Sequence, residues 1–199
     1  MADLLASRFV SPAVPLSTAR LLLRPYHPSD APAFFALLDA NRLRLQPAFP
    51  ARVAAVRTQA DAERVLDTFR HDWRTRRLYV LGIWEEATGR YLGDISLKPN
   101  WTDPVTLEIG YYLAADAEGQ GYAREALHAA VQFGFRLSSD VARQLIRCRA
   151  DNPRSCAVAE AAGFQLLPAR PRAWPLRAFR TDDILYFSLK REDAAVQPA

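Results

Sequence analysis

The residues best suited to chemistry in this chain stand between Glu108 and Leu127, in the run EIGYYLAADAEGQGYAREAL. A strand pattern ends, a short loop follows, and a helical pattern opens at Gly119-Gln120-Gly121. Glycine lets a backbone approach a ligand closely, and the first N–H groups of a helix have no partner inside it. Together with the helix dipole, those donors make a place for a phosphate or pyrophosphate. The same two glycines would also serve as nothing more than a tight strand-to-helix connection. The turn has no Gly-Lys-Ser/Thr of a P-loop. It also lacks the third glycine of a dinucleotide fingerprint and comes too late for a first βα unit. About 30 residues on, RCRADNPRSCAVAEAAGF gives a strand, Asn152, Ser155, a helix and then Gly163-Phe164.

Both constellations need elements to position them. The spacing predicts an N-terminal arm over 1–18, a first strand in ARLLLRPY, and a helix in HPSDAPAFFALLDAN with Ser29 as its N-cap. That helix carries Phe34, Phe35 and Leu38 on one face. Residues 42–57, broken by Pro47 and Pro50, read as a loop with a helical turn. Thr58 with Asp61 forms a capping-box pattern, and Ala62, Val65, Leu66, Phe69 and Trp73 follow as a helical stripe. A three-strand meander runs from LYVLGIWEE, through Ala87-Thr88-Gly89-Arg90, to VTLEIGYYLA. Then come a long helix over about 119–138, the strand QLIRCRA, a helix from Asn152 closed by Gly163, and the strands FQLL and DILYFSLK. REDAAVQPA reads as a tail. The expected architecture is one α/β (α+β) domain over 19–190, between an arm at 1–18 and a tail at 191–199.

Composition sets the outer limits. The 199 residues are 50 % hydrophobic and 24 % charged, enough for one domain with a sizeable core and too apolar for a disordered chain. Two cysteines cannot make a disulfide scaffold. The net charge of +4 suits an anionic ligand and is too small to argue for nucleic acid. No apolar run reaches the roughly 18 residues of a membrane helix, and the N-terminus has no signal-peptide pattern. A cytoplasmic, reduced protein with no membrane association is therefore expected.

The segments EGQGYAREAL and ADNPRSCAVAEAAGF, with LEIGYYL before them and TARLLLRPYHPSDA at the front, resemble the GNAT superfamily of acetyl-CoA-dependent N-acetyltransferases. Within it, the chain is similar to the Rim-type branch that acetylates ribosomal-protein N-termini. The resemblance runs from about Ala19 to about Lys190. It implies a mostly antiparallel, V-shaped mixed sheet of 6–7 strands flanked by helices, with acetyl-CoA in the V and no metal. By the same resemblance, the pantetheine pairs with backbone at Tyr111, Tyr112 and Leu113. The pyrophosphate would rest on N–H groups of Gly119, Gln120, Gly121, Tyr122, Ala123 and Arg124, with Asn152 on the pantetheine and Ser155 near the sulfur. Glu118 departs from the Gln or Arg common at its position, and no role is expected of its side chain.

Direct acyl transfer to an amine needs a neutral amine, an oxyanion stabiliser and a proton route to the thiolate. An α-amino group with a pKa near 7.7–8 is about a tenth or more neutral at pH 7, whereas a lysine is below about 0.1 % neutral. An α-amine therefore needs only a modest base, through one water if necessary. Strand alternation puts Glu108 on the face opposite Leu107 and Ile109, which makes it the candidate base. Its alternative is an exposed glutamate or one paired with a neighbouring arginine. Ser155 could donate to the departing sulfur or satisfy a backbone N–H at the helix start. A backbone N–H near Tyr111 or Tyr112 would meet the oxyanion.

An N-terminal protein amine is the expected acceptor by branch analogy, with a small-molecule amine, antibiotic or polyamine as the second reading. A non-catalytic CoA-binding regulatory module and an RNA-associated adaptor are rivals from other classes. Nucleic acid would enter only indirectly, through a ribosomal substrate, and a homodimer is open. His27, His71 and His128 lack metal-ligand spacing, and Cys148 and Cys156 fit a core. Arg170, Arg172, Trp174, Arg177 and Arg180 fill a Pro-stiffened loop that by the resemblance borders the acceptor opening, where the arginines would meet an anionic substrate or an RNA-bearing partner; the other reading is a solvated surface. Arg42, Arg44, Arg52 and Arg57 carry the same two readings.

Overall fold

The computed structural model describes residues 14–168 and 184–194; the expectations for residues 1–13, for the arginine-rich loop beyond Pro168 and for tail residues 195–199 lie outside the described residues. Eight strands form one sheet: β1 (Leu16–Ser17), β2 (Leu21–Arg24), β3 (Tyr79–Glu85), β4 (Tyr91–Asn100), β5 (Val105–Leu113), β6 (Val141–Arg149), β7 (Gln165–Leu166) and β8 (Ile184–Lys190). Their order is β1-β2-β3-β4-β5-β6-β8-β7. Every pairing is antiparallel except β5 with β6. The count exceeds the expected 6–7 because Leu16–Ser17, assigned to the arm by sequence, adds a two-residue strand at the β2 edge. A pairing that short leaves no periodic signature.

One face of the sheet is covered by α1 (Ala31–Ala40), α2 (Arg42–Leu45), α3 (Pro50–Ala55) and α4 (Gln59–Arg74). The other carries α5 (Tyr122–Leu137) and α6 (Pro153–Ala161). Two differences from the sequence reading have simple causes. Ser29 lies inside a 3-10 turn, Pro28–Asp30, and Asp30 precedes α1 instead. The Asp30 carboxylate is occupied by Arg24 and by the His27 N–H at 2.7 Å. The buried stripe of α1 is therefore Phe34, Leu37 and Leu38, with Phe35 half-buried. Residues 42–57 hold two short helices, because Pro50 sits in the first turn of α3, where a missing N–H costs no hydrogen bond.

The Thr58 capping box forms as predicted. Thr58 Oγ1 accepts from the Asp61 N–H at 3.2 Å, and Asp61 accepts from the Thr58 N–H at 2.9 Å. Ala62, Leu66 and Phe69 are buried beneath it, while Val65 and Trp73 are half-buried. The segment read as a tail begins as a helical turn, α7 (Arg191–Ala194). Arg191 donates to the carbonyls of Val141, Phe135 and Ser138 at 2.6–2.9 Å and so ties this turn to the end of α5. No helix among the described residues is long and apolar enough to cross a membrane.

Candidate active site

The sheet opens where its one parallel pairing ends. The β5–β6 ladder runs from Val105↔Val141 to Ile109↔Ile146 and stops. Beyond it β5 stays with β4 as far as Leu113↔Gly93, while β6 stays with β8 as far as Arg149↔Ile184. The two strands thus diverge, leaving the β6-facing backbone groups of Gly110–Leu113 without a ladder partner. A cleft of about 420 Å3 fills the divergence, a size ordinary for a small-molecule site. Of the cofactor-binding residues expected from sequence, all but Gln120 line it. The Gln120 side chain turns back to the Asp116 carbonyl at 2.8 Å.

One end of the cleft is the start of α5. Gly121 is its N-cap, with φ +83°, a left-handed conformation that L side chains avoid. The helix behind it buries Ala126, Leu127, Ala130 and Phe133 against the sheet, so its first turn is held rigidly with free N–H donors. Glu118 stands at this end too, and the structure gives it the partners that sequence denied it. Its carboxylate pairs with Arg44 and with Arg154, the latter at 3.2 Å. Arg44 also donates to the Leu113 carbonyl, which makes α2 a wall of the cleft. From sequence, Arg44 is open between the acceptor opening and a solvated surface, whereas Arg154 gives no signal beyond its charge.

The cleft also gathers polar groups around Ser155. Asn152 caps α6, its Oδ1 accepting the Ser155 N–H at 3.2 Å, so the helix-start role offered for Ser155 belongs to Asn152. The Ser155 hydroxyl is left free for other partners. It lies 3.2 Å from the Tyr111 phenol oxygen and 3.4 Å from Cys148 Sγ. Burial keeps the Tyr111 phenol well above its ordinary pKa despite the Ser155 hydrogen bond, and it pushes the Cys148 thiol up to about 11. Both groups are therefore neutral, protonated neighbours of Ser155 at neutral pH. Sequence reading had used only the backbone of Tyr111 and had left Cys148 in the core.

Glu108 does not line the cleft. It is 39 % exposed and pairs with Arg147 on β6 at 2.8 Å, opposite Lys98 in the β4 register. This is the arginine-paired arrangement weighed from sequence. The face it occupies continues through Gly110 and Tyr112, and beneath Tyr112 lies a fully buried cluster. Asp94, 1 % exposed, accepts from Arg52 at 2.6 Å, Tyr112 at 2.8 Å and Tyr26 at 3.1 Å. Tyr26 has one proton and spends it on Asp94, so Tyr91 donates to Tyr26 at 2.5 Å. Burial works against the Arg52 charge, but Asp94 more than offsets it and raises its pKa further. This anchors α3, and Phe49 just before it packs edge-on against Tyr112 with ring centroids 5.2 Å apart. Leu45, Ala48 and Phe49 thereby join Asn152 and Ser155 in lining the cleft.

Residues 20–165 match the acetyltransferase (GNAT) domain family. The chain belongs to this family. A ribosomal-protein-serine acetyltransferase of Escherichia coli (strain K12) is 43 % identical over 61 residues, 31 % of this chain. That stretch spans only 34 % of the E. coli protein. Among solved structures, the ribosomal-protein-S5-alanine acetyltransferase of Vibrio fischeri superposes with a TM-score of 0.76 at 20 % identity, covering 94 % of this chain and 100 % of that one. A ribosomal L7/L12 alpha-N-protein acetyltransferase in complex with coenzyme A gives 0.72 at 24 % identity, covering 89 % and 97 %.

Proposed function

We propose that this GNAT domain transfers an acetyl group from acetyl-CoA directly to an amine, the N-terminal α-amine of a protein being the acceptor. One observation carries the proposal: the turn and helix start at Gly119 and Gly121–Arg124, the diverging strand at Tyr111–Leu113, and Asn152 with Ser155 all line one cleft. That arrangement fits a long cofactor with phosphates at one end and a thioester at the other. Backbone at Tyr111, Tyr112 and Leu113 would run beside the pantetheine, with the unused Asn152 amide NH2 beside it. Acetyl-CoA supplies the activated acyl thioester.

The chain's own groups then handle protons and charge. The Ser155 hydroxyl would present its hydrogen to the sulfur while accepting from the Cys148 thiol, since the single Tyr111 proton can go to the Ser155 carbonyl at 3.2 Å. A backbone N–H of β5 near Tyr111 or Tyr112 would meet negative charge on the acyl oxygen. Glu108, oriented by Arg147, takes the amine's proton through water from its exposed edge of the same sheet face. This suits an α-amine, which is already partly neutral near pH 7. The name of the E. coli relative supports a ribosomal-protein N-terminus within this class.

Thiol release from acetyl-CoA, measured with ribosomal-protein N-terminal peptides, lysine peptides, polyamines and aminoglycosides, tests the proposal. Turnover is expected on the α-amine peptides. Preference for a small amine would replace the acceptor, and no turnover with any of them would leave a CoA-binding module. In the same assay Glu108→Gln should lower kcat by about 100-fold, the low end of what a positioned base contributes. Near-normal kcat would remove Glu108 from the mechanism.

A further inference from the structure

Arg20, in the turn between β1 and β2, is separated by a hundred residues of sequence from the cofactor turn, yet it grips that turn in several places. Its Nη1 donates to the Gln120 carbonyl at 2.9 Å. Its Nε and Nη2 hold the Glu125 carboxylate at 2.8 and 2.7 Å, and its backbone N–H adds a third bond to Glu125 at 2.8 Å. The guanidinium also lies 4.6 Å from the centroid of the Tyr122 ring. Arg20 does not line the cleft. It lies in a separate hollow on the other side of Gly121, a residue that borders both.

We infer that Arg20 is a positioning residue for the cofactor's pyrophosphate, aiming the Gly121 N–H into the cleft from behind. This rests on the proposed use of that turn. In a trans peptide the C=O and N–H point in opposite directions. A guanidinium fixed on the Gln120 carbonyl on one side therefore turns the Gly121 N–H to the other. Glycine on both sides of Gln120, at φ +77° and +83°, leaves this peptide plane little restraint of its own.

Arg20 has a second effect of the same sign. Glu125 puts a carboxylate in the first turn of α5, beside the place meant for an anion. The forked bonds from Arg20 match that charge at its source, and Thr18 Oγ1 completes the shell at 2.6 Å. Burial disfavours the carboxylate, but Thr18 and Arg20 prevail and hold Glu125 below its ordinary pKa. Without Arg20, the Glu125 charge would stand unmatched by a cation in the first turn of the same helix.

Calorimetric titration of the full chain with CoA tests this independently of turnover. Wild type must bind CoA, and failure there would overturn the proposed function rather than the role of Arg20. Arg20→Ala is expected to raise the CoA Kd about tenfold, the scale of one charge-assisted hydrogen bond. Arg20→Lys keeps the charge without the fork, so it should raise Kd nearly as much and guards against an alanine variant that does not fold. With S-acetylpantetheine, which has neither pyrophosphate nor adenosine, kcat/KM should match wild type for both variants. A CoA Kd within twofold of wild type, or equal losses with both acyl donors, would overturn the inference.

Discussion

Asp94→Asn should cost about 3–5 kcal/mol of folding stability, the usual cost of stripping a buried charge of its partner. Arg52 would keep its positive charge in a site lined by Phe69 and three tyrosines, with only an amide oxygen in place of the carboxylate. For a domain of this size that is a fall in melting temperature of about 10 °C. Urea unfolding followed by circular dichroism reads it directly, and a loss under about 1 kcal/mol would refute the account. Adding Arg52→Met to Asp94→Asn should recover part of the loss, because removing both charges leaves none uncompensated. The double variant tests the cause as well as the size. It would also loosen α3, so the acceptor KM should rise more than the KM for acetyl-CoA.

Gly93→Ala should be at least as damaging. Gly93 lies on β4 at φ +153°, opposite Leu113, next to the irregularity in the β3–β4 register. A Cβ there would sit 2.1 Å from the Tyr112 carbonyl oxygen and 2.9 Å from Leu113 Cα. Both are backbone atoms, so neither rotates aside. Either the domain loses more than about 4 kcal/mol, or the last residues of β5 move and the cleft closes on them. A melting curve with a CoA titration distinguishes these outcomes, and wild-type values in both would contradict the geometry. Gly89→Ala is the control. Its φ of +68° is strained, but nothing lies within 4 Å of the new methyl, so the expected loss is about 1 kcal/mol.

What the sequence made legible was local in origin. Thr58 and Asp61 declare a helix start because their reciprocal hydrogen bonds span three residues. The glycines at 119 and 121 stand out because only a left-handed turn needs them. Strand alternation put Glu108 on its face correctly, but its partner comes from β6, 39 residues later, and no periodicity encodes that. Pro50 misled because proline reads as a breaker, although it is harmless in a first helical turn. Arg44 and Arg52 were open between surface charge and acceptor side, and Arg20 gave no signal, yet each answers an acceptor distant in sequence: Glu118, Asp94 and the Gln120 carbonyl. The Tyr111 phenol was overlooked for the same reason, since Ser155 reaches it only once β5 and β6 diverge.

The solitary parallel pairing of β5 with β6 has an evolutionary consequence. Parallel neighbours need a crossover, and here α5 is that crossover. The helix whose first turn is proposed to receive the pyrophosphate is thus the one the sheet requires to close, and drift cannot erode it without dismantling the sheet. The facing wall, α2 and α3, bears no such duty: it links α1 to α4 and is pinned chiefly at Arg52 and Arg44. Lineages with this fold can therefore exchange one lip of the cleft, and with it the acceptor, while inheriting the other lip unchanged.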